Sequence, residues 1–143
     1  MFVVVLFFLE VVQFREIHMS EIENTTSVLV VDDSPSMREM IQFTLRSAGY
    51  EVHCAGDGVE ALEFAAENSV NLVVTDVNMP NMNGITLISE LRKLENYKFT
   101  PILTLTTEAG KELKQEGRDA GATGWIVKPF DPDNLLQVIR KVL

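Results

Sequence analysis

Five short, largely apolar runs recur between residues 28 and 127, and a segment with helical spacing follows each of them. The runs are Val28–Val31, Tyr50–Ala55, Leu72–Thr75, Ile102–Leu105 and Trp125–Val127. Runs of this kind are typical of strands that are buried on both faces, as in parallel sheets. Strands that alternate with helices form such a sheet, and right-handed crossovers place the helices on both faces of it. The sequence therefore predicts a doubly wound α/β fold.

The intervening segments carry recognisable helix signals. Ser34 is a candidate N-cap, and Pro35 suits the first helical position. The segment Lys111–Ala120 predicts a helix that is charged and only weakly apolar. Helical spacing predicts four further amphipathic helices, whose apolar positions are Met37, Met40, Ile41 and Leu45; Ala61, Leu62, Phe64 and Ala65; Ile85, Leu87, Ile88 and Leu91; and Leu135, Leu136, Val138, Ile139 and Val142.

Composition and charge exclude several function classes. The chain has 12 basic and 21 acidic residues among 143, a formal charge of −9, which disfavours non-specific binding to nucleic acid phosphates. Its single cysteine, Cys54, excludes an internal disulfide and a multi-cysteine metal site. The two histidines, His18 and His53, lie too far apart in sequence to indicate a zinc centre. An acidic balance is typical of a protein that binds a basic partner or concentrates cations.

The first 18 residues differ in character from the rest. Residues 1–14, MFVVVLFFLEVVQF, are almost wholly apolar but fall short of the about 20 residues that span a bilayer, and Glu10 interrupts them. They lack the basic region and small-residue cleavage site of a signal peptide. A polar run that resembles an ordinary amino terminus begins at Met19. We predict an apolar extension over residues 1–18, from an upstream start codon, and a folded domain over 19–143. An interaction strand and a membrane-surface anchor are alternatives for the extension.

Polar and charged side chains follow four of the five predicted strands at the point where each strand ends. Asp32 and Asp33 follow the first, Asp76 the third, Thr106 the fourth and Lys128 the fifth. In open α/β sheets, sites form beyond the carboxyl ends of the strands, so these side chains are expected to converge. Three carboxylates repel one another unless a cation offsets their charge, and oxygen ligands favour Mg²⁺. With a lysine and a hydroxyl beside them, they predict phosphoryl transfer onto a carboxylate.

Each of these signals also has an ordinary structural interpretation. The paired aspartates resemble a helix N-cap, and Asp76 precedes a turn-forming loop rich in Asn, Pro and Gly. Thr106 is a candidate cap for a helix that starts near Glu108, and Lys128 followed by proline is compatible with a surface turn. Their joint occurrence at strand ends in one topology favours a functional site.

Four segments carry a resemblance to a known family. VLVVDDSPSMR, VVTDVNMPNMNG, PILTLTTE and GATGWIVKPF resemble bacterial two-component receiver domains of the stand-alone CheY type. The resemblance extends from about Val28 to Leu143. It implies a five-stranded parallel sheet in the order 2-1-3-4-5, the flavodoxin-like arrangement of which CheY is an example.

The resemblance also implies roles for the acidic residues and their neighbours. Asp76 would be the phosphoacceptor. Asp33, Asp76 and the backbone carbonyl of Asn78 would ligate Mg²⁺, and Asp32 would assist through a metal-bound water. Asn78 and Glu108 would flank the path of the hydrolysing water and modulate dephosphorylation.

Residues of the last two strands would bind the phosphoryl group and report it. Thr106 matches the switch hydroxyl of the family, and Lys128 matches its phosphate-binding lysine. The Lys128–Pro129 bond is expected to be cis. Trp125 would be a switch residue that moves from an exposed to a more buried rotamer once Asp76 is phosphorylated.

Within the family, the ending GATGWIVKPFDPDNLLQVIRKVL looks most like chemotaxis receivers. The implied protein is a cytoplasmic, monomeric, single-domain response regulator that a chemotaxis-type histidine kinase phosphorylates. Its fourth helix, fifth strand and fifth helix would form the output face toward a flagellar motor switch protein or another target, and a phosphatase would be a further partner. Neither nucleic acid nor a membrane is an expected partner. It would not be a conventional enzyme, because its chemistry is self-catalysed phosphorylation and autodephosphorylation.

Two other classes are open alternatives. A phosphorelay intermediate, which passes the phosphoryl group to a histidine phosphotransfer protein, would have an identical site. An enzyme is less compatible with the sequence, because a flavin-phosphate site favours Gly, Ser or Thr after the first strand, where this loop is acidic. An aspartate-nucleophile phosphatase usually has Asp-x-Asp there and a cap for its substrate, whereas Asp32 and Asp33 are adjacent and no length is left for a cap.

Overall fold

All five predicted strands are present and form one parallel sheet. The computed structural model describes residues 25–143, and its strands are β1 (Ser27–Val31), β2 (Glu51–Ala55), β3 (Leu72–Thr75), β4 (Ile102–Thr106) and β5 (Gly124–Val127). Their order is β2-β1-β3-β4-β5, and every neighbouring pair is parallel. The predicted fold class and strand order are confirmed, and the strand limits differ only slightly from the predicted ones. The extension predicted over residues 1–18 lies outside the described residues.

The predicted helices are also present. They are α1 (Pro35–Ser47), α2 (Gly58–Glu67), α3 (Gly84–Arg92), α4 (Lys111–Ala120) and α5 (Pro132–Val142), with a short 3₁₀ turn at Glu95–Tyr97. Ser34 caps α1 as predicted, because its hydroxyl oxygen accepts a hydrogen bond from the Met37 amide at 3.2 Å. Helix α4 begins at Lys111 behind Gly110, so the alternative in which Thr106 caps a helix near Glu108 is wrong. Within residues 25–143, no helix is long and apolar enough to cross a membrane.

The apolar core is divided between the two faces of the sheet, because successive side chains along a strand point to opposite faces. On one face, Leu29 and Val31 pack with residues of α2 and α3, which are Ala61, Ala65, Leu87, Ile88 and Leu91. On the other face, Val28 and Val30 pack with residues of α1 and α5, which are Ile41, Leu45, Leu135 and Ile139. Helix α4 contributes only the partly buried Ala120 to the first cluster. Packing from both sides fixes the carboxyl edge of β1 and β3, where the predicted site begins.

Candidate functional site

Three carboxylates lie together beyond the ends of β1 and β3. Oxygen atoms of Asp32, Asp33 and Asp76 all lie within 4.8 Å of one another. Asp32 is buried, with 1% of its surface exposed, whereas Asp33 is exposed. The structure thus brings together the acidic residues that the strand-end pattern predicted to converge. Carboxylates at this separation repel one another, so the cluster calls for positive charge nearby.

Backbone hydrogen bonds orient the two inner carboxylates. Oδ1 of Asp32 accepts a hydrogen bond from the Ser34 amide at 2.9 Å, and Oδ1 of Asp76 accepts one from the Val77 amide at 2.7 Å. Arg38, on the first turns of α1, donates to the backbone carbonyl of Asp32 at 2.6 Å. Both aspartates are therefore held by the chain that directly follows them, and each keeps its Oδ2 atom for another partner.

That partner is the ammonium group of Lys128. Its Nζ lies 2.7 Å from Oδ2 of Asp32 and 3.2 Å from Oδ2 of Asp76, and its side chain is 10% exposed. Burial by itself lowers the pKa of this ammonium, but hydrogen bonds and attraction to Asp32 and Asp76 outweigh it, so the pKa of Lys128 is raised. Lys128 is therefore protonated at neutral pH. The Lys128–Pro129 bond is cis, and the Lys128 amide donates to the Thr106 carbonyl at 2.8 Å.

Three residues form a second group of contacts at the mouth of the site. Thr106 is buried at the carboxyl end of β4, and its hydroxyl oxygen accepts a hydrogen bond from the Glu108 amide at 3.2 Å. Oε1 of Glu108 accepts a hydrogen bond from Nδ2 of Asn78 at 3.2 Å, which joins the loops that follow β3 and β4. Because Thr106 acts as an acceptor here, its own hydroxyl proton is left for another group.

The loop that carries Asn78 is attached to the start of α2. Nδ2 of Asn81, a residue with a φ of 68°, donates to Oδ2 of Asp57 at 2.7 Å. Oδ1 of Asp57 accepts a hydrogen bond from the Glu60 amide at 2.8 Å and so caps α2. The bond from the Glu60 amide and the bond from Asn81 lower the pKa of the Asp57 carboxyl. This attachment holds the backbone near Asn78 beside the carboxylate cluster.

Trp125 lies next to the mouth of the site, on β5. Its Nε1 donates to the backbone carbonyl of Glu108 at 2.8 Å, and the residue is half-buried. Its ring lies against Gly117 of α4. The predicted switch residue is therefore in contact with the loop after β4.

Comparison with known proteins decides the family. Residues 28–140 match the response regulator receiver domain family. The chain belongs to this family. Among its relatives, chemotaxis protein CheY1 of Helicobacter pylori is 43% identical over 118 residues, which cover 81% of this chain and 95% of that protein.

Solved structures support the assignment of this chain to the receiver domain family. Chemotaxis protein CheY4 of Vibrio cholerae has a TM-score of 0.81 and 51% sequence identity, and the match covers 83% of this chain and 99% of that one. The response regulator TrrA of Thermotoga maritima, solved in complex with Mg²⁺ and BeF, has a TM-score of 0.74 and 33% identity, covering 82% and 99%. The predicted resemblance to CheY-like receivers is confirmed, and relatives that are chemotaxis proteins favour this reading over a phosphorelay intermediate.

The oxygen atoms of this receiver site suit a divalent cation. The three carboxylates carry three negative charges against the single positive charge of Lys128, so the cluster has an excess of negative charge. Carboxylate and carbonyl oxygens are the ligands that Mg²⁺ prefers, usually together with water. The exposed position of Asp33 leaves one side of the cluster open to solvent, from which an ion and its waters can enter.

Several contacts of the receiver site were not predicted from the sequence. The sequence does contain an indication of the hydrogen bond from Arg38 to the Asp32 carbonyl. Arg38 lies one helical turn beyond the Ser34 N-cap, and its side chain points back toward the end of β1. Asp57, which lies between two glycines in the sequence, caps α2 and binds the loop after β3. The contact of Gly117 is indicated in the sequence only by the presence of an isolated glycine inside a predicted helix.

Proposed function

We propose that this receiver domain accepts a phosphoryl group from a histidine kinase on Asp76, with Mg²⁺ as cofactor, and signals in chemotaxis. The observation that carries the proposal is one arrangement of charges. Lys128 lies within hydrogen-bond distance of Asp76, and Asp32 and Asp33 lie beside it with excess negative charge. A nucleophilic carboxylate, a cation for the phosphoryl oxygens and ligands for a divalent ion are the components of phosphoryl transfer to aspartate.

Asp76 acts as the nucleophile in this proposal. One of its oxygens forms a bond to phosphorus while the bond from phosphorus to the histidine nitrogen of the kinase breaks, and the electron pair remains on that nitrogen. The Val77 amide and Lys128 hold the carboxylate in one orientation, so little reorganisation precedes the attack. Asp33, Asp76 and the Asn78 carbonyl would hold the ion directly, and Asp32 through water. Bound Mg²⁺ neutralises charge on the transferred oxygens.

Lys128 and Thr106 receive the new phosphoryl oxygens. Lys128 is protonated, and its ion pair with Oδ2 of Asp76 places its ammonium beside the atom that is modified. Thr106 presents a hydroxyl whose proton is not used by its bond from the Glu108 amide. Turning that proton toward the phosphoryl group shifts the loop after β4, which is a population shift between two packings. Trp125 contacts this loop and serves as the output-side switch residue.

Asn78 and Glu108 control access of water to the acyl phosphate. Their side chains bridge the loops on either side of Asp76, so their hydrogen bond lies at the mouth through which water arrives. Both groups are polar and orient water. The expected phosphoryl lifetime is on the scale of seconds to minutes, which suits motor control. A lifetime of many hours would favour the phosphorelay alternative.

The partners follow from the chemistry and from the relatives. A chemotaxis-type histidine kinase supplies the phosphoryl group, and the α4–β5–α5 face engages a flagellar motor switch protein or another target. A phosphatase would shorten the signal. Such a protein would act in the cytoplasm as a monomer, without nucleic acid or a membrane as partner.

Phosphorylation of purified variants tests the proposal. We expect the wild-type protein to take up label from a radioactive small phosphoryl donor in Mg²⁺, and the label to be lost under conditions that hydrolyse acyl phosphates. Asp76→Asn keeps the shape of the side chain and removes the nucleophile, so uptake should disappear. Asp119→Asn, an exposed aspartate of α4, is the matched control and should label like wild type.

Two results would overturn the assignment. Labelling of Asp76→Asn to the wild-type extent would place the acceptor elsewhere, and labelling that persists fully after Mg²⁺ is chelated would exclude the ion. The chemotaxis role is tested separately by measuring binding of the purified motor switch protein from the same organism. Equal affinity for the phosphorylated and unphosphorylated protein would exclude that target.

A further inference from the structure

A glycine in the middle of α4 makes room for the ring of Trp125. A Cβ atom placed on Gly117 would lie 2.5 Å from Cζ3 of Trp125 and 3.0 Å from Cε3. Carbon atoms in favourable contact are about 3.5–4.0 Å apart, so even an alanine at 117 is incompatible with the ring where it lies. Gly117 is also the one buried residue of α4. The indole ring and the helix backbone are therefore in direct contact.

The space that the indole ring occupies explains why residue 117 is a glycine, whereas its backbone conformation does not. Within the described chain, positive φ angles occur at Gly49, Gly121 and Asn81, so Gly117 has an ordinary helical backbone. Glycine inside a helix is less favourable than alanine, because it loses more conformational freedom on folding. Gly110, at the N-cap of the same helix, has open space around its Cβ position. The glycine that is unfavourable for the helix therefore lies where the ring of Trp125, the one tryptophan of the chain, packs against α4.

The seated ring also holds the loop at the mouth of the site. Nε1 of Trp125 donates to the Glu108 carbonyl at 2.8 Å. The amide of Glu108 donates to the hydroxyl oxygen of Thr106, and its carboxylate accepts from Asn78. Three hydrogen bonds on one residue therefore connect the indole to both loops of the site. A ring that leaves α4 gives up the first of these bonds.

We infer that Gly117 is a positioning residue: it seats the indole of Trp125 on α4, and the seated indole fixes Glu108 in its bridge to Asn78. The inference concerns the conformation of the loop after β4. It goes beyond the proposed function and does not depend on Asp76 being the phosphoacceptor.

Fluorescence of the single tryptophan tests the seat directly. Gly117→Ala should expel the ring, which gives a red shift of the emission maximum and a loss of protection from acrylamide quenching. Gly110→Ala adds the same methyl group to the same helix where space is open, and its emission should match wild type. Wild-type emission and quenching in Gly117→Ala would overturn the seat.

A double-mutant cycle separates the seat from a general effect on the helix. In a Trp125→Ala background the added methyl meets no ring, so Gly117→Ala should raise the urea midpoint because alanine is the better helix former. In the wild-type background the same substitution should raise it less or lower it. Equal changes of the urea midpoint in both backgrounds would contradict the contact between Gly117 and the ring. The emission test does not use the Trp125→Ala variants, so it applies even if they fold poorly.

Hydrogen exchange tests the connection to the loop. Amides of residues 107–110 should exchange faster in Gly117→Ala than in wild type, because the Glu108 carbonyl has lost its indole partner. Gly110→Ala cannot serve as the control here, since its own residue lies in the measured segment, so Asp119→Asn replaces it. Unchanged exchange over 107–110 together with an expelled ring would refute the hold on Glu108. Neither this result nor the emission test requires phosphorylation, so failure here is distinct from failure of the proposed function.

Discussion

Helices α3 and α4 have nearly the same length, nine and ten residues, and each follows a strand with a site residue at its end or directly after it. Their attachment to the sheet is very different. Helix α3 inserts Leu87, Ile88 and Leu91 into the core with no exposed surface. Helix α4 buries only Gly117, and the rest of it is half-buried or exposed and highly charged.

The difference distinguishes the helix beside the proposed phosphorylation site from the helix of the proposed output face. A fully buried leucine stabilises by about 1.5–3 kcal/mol, so α3 holds the loop after Asp76 with several such contributions. The position of α4 relies on few apolar contacts, that with the Trp125 ring among them, and on hydrogen bonds from Arg92 to the carbonyl of Gly121 at its carboxyl end. Segments with little buried apolar surface open and shift at low free-energy cost. Asp76, the proposed nucleophile, is thus on the firmly packed side, and α4, part of the proposed output face, is on the weakly packed side.

The same substitution in both helices would test this comparison with the largest effect. Leu87→Ala in α3 removes a fully buried side chain, and we expect a loss of about 3 kcal/mol in the free energy of unfolding. Leu113→Ala in α4 removes a half-buried one, and we expect a loss of about 1 kcal/mol or less. Urea unfolding followed by circular dichroism measures both. Equal losses would show that α4 is anchored as firmly as α3.

The sequence allowed much of this to be predicted, because the site residues lie at the carboxyl ends of the predicted strands or directly after them. Asp32, Asp76 and Lys128 could be placed together without any knowledge of side-chain positions, since the carboxyl ends of parallel strands share one edge of the sheet. The contact of Trp125 with Gly117 could not, because it depends on the distance between an edge strand and a helix. No periodicity in the sequence encodes that distance.

The contact between Asn78 and Glu108 shows the same limit within the site. The family resemblance placed both residues near the path of the hydrolysing water. Their direct hydrogen bond depends on the conformations of two loops separated by 30 residues in sequence. The conformation of these loops is set by individual side-chain hydrogen bonds such as that from Asn81 to Asp57, which no hydrophobic pattern predicts.

A second prediction concerns charge, which distinguishes the carboxylate cluster from the mixed charges of α4. Asp33 is exposed beside two other carboxylates, so Asp33→Asn relieves repulsion and should raise the free energy of unfolding by about 1 kcal/mol without Mg²⁺. Mg²⁺ should stabilise the wild-type protein by mass action and the variant much less. Thermal unfolding with and without Mg²⁺ measures both effects.

Glu116→Gln provides the matched change on α4, where acidic and basic residues alternate. It should leave both the metal-free stability and the response to Mg²⁺ as in wild type. Destabilisation by Asp33→Asn without Mg²⁺ would mean that repulsion in the cluster is already offset within the protein.

The smallest expected effect is an alkaline loss of stability that belongs to the carboxylate cluster and not to α4. The pKa of Lys128 is raised in the folded protein, so its ion pairs contribute fully below the ordinary lysine pKa of 10.5. That contribution should disappear as the pH rises through the higher folded pKa. We therefore expect the stability difference between wild type and Lys128→Met to shrink above pH 10.5, as measured by urea midpoints. Tyr97, whose pKa burial also raises, is present in both proteins and cancels in the difference. Lys114→Met, on the exposed face of α4, is the control, and its urea midpoint should follow the same dependence on pH as that of wild type. A stability difference between wild type and Lys128→Met that stays constant across this range would show that the ion pairs of Lys128 do not raise its pKa.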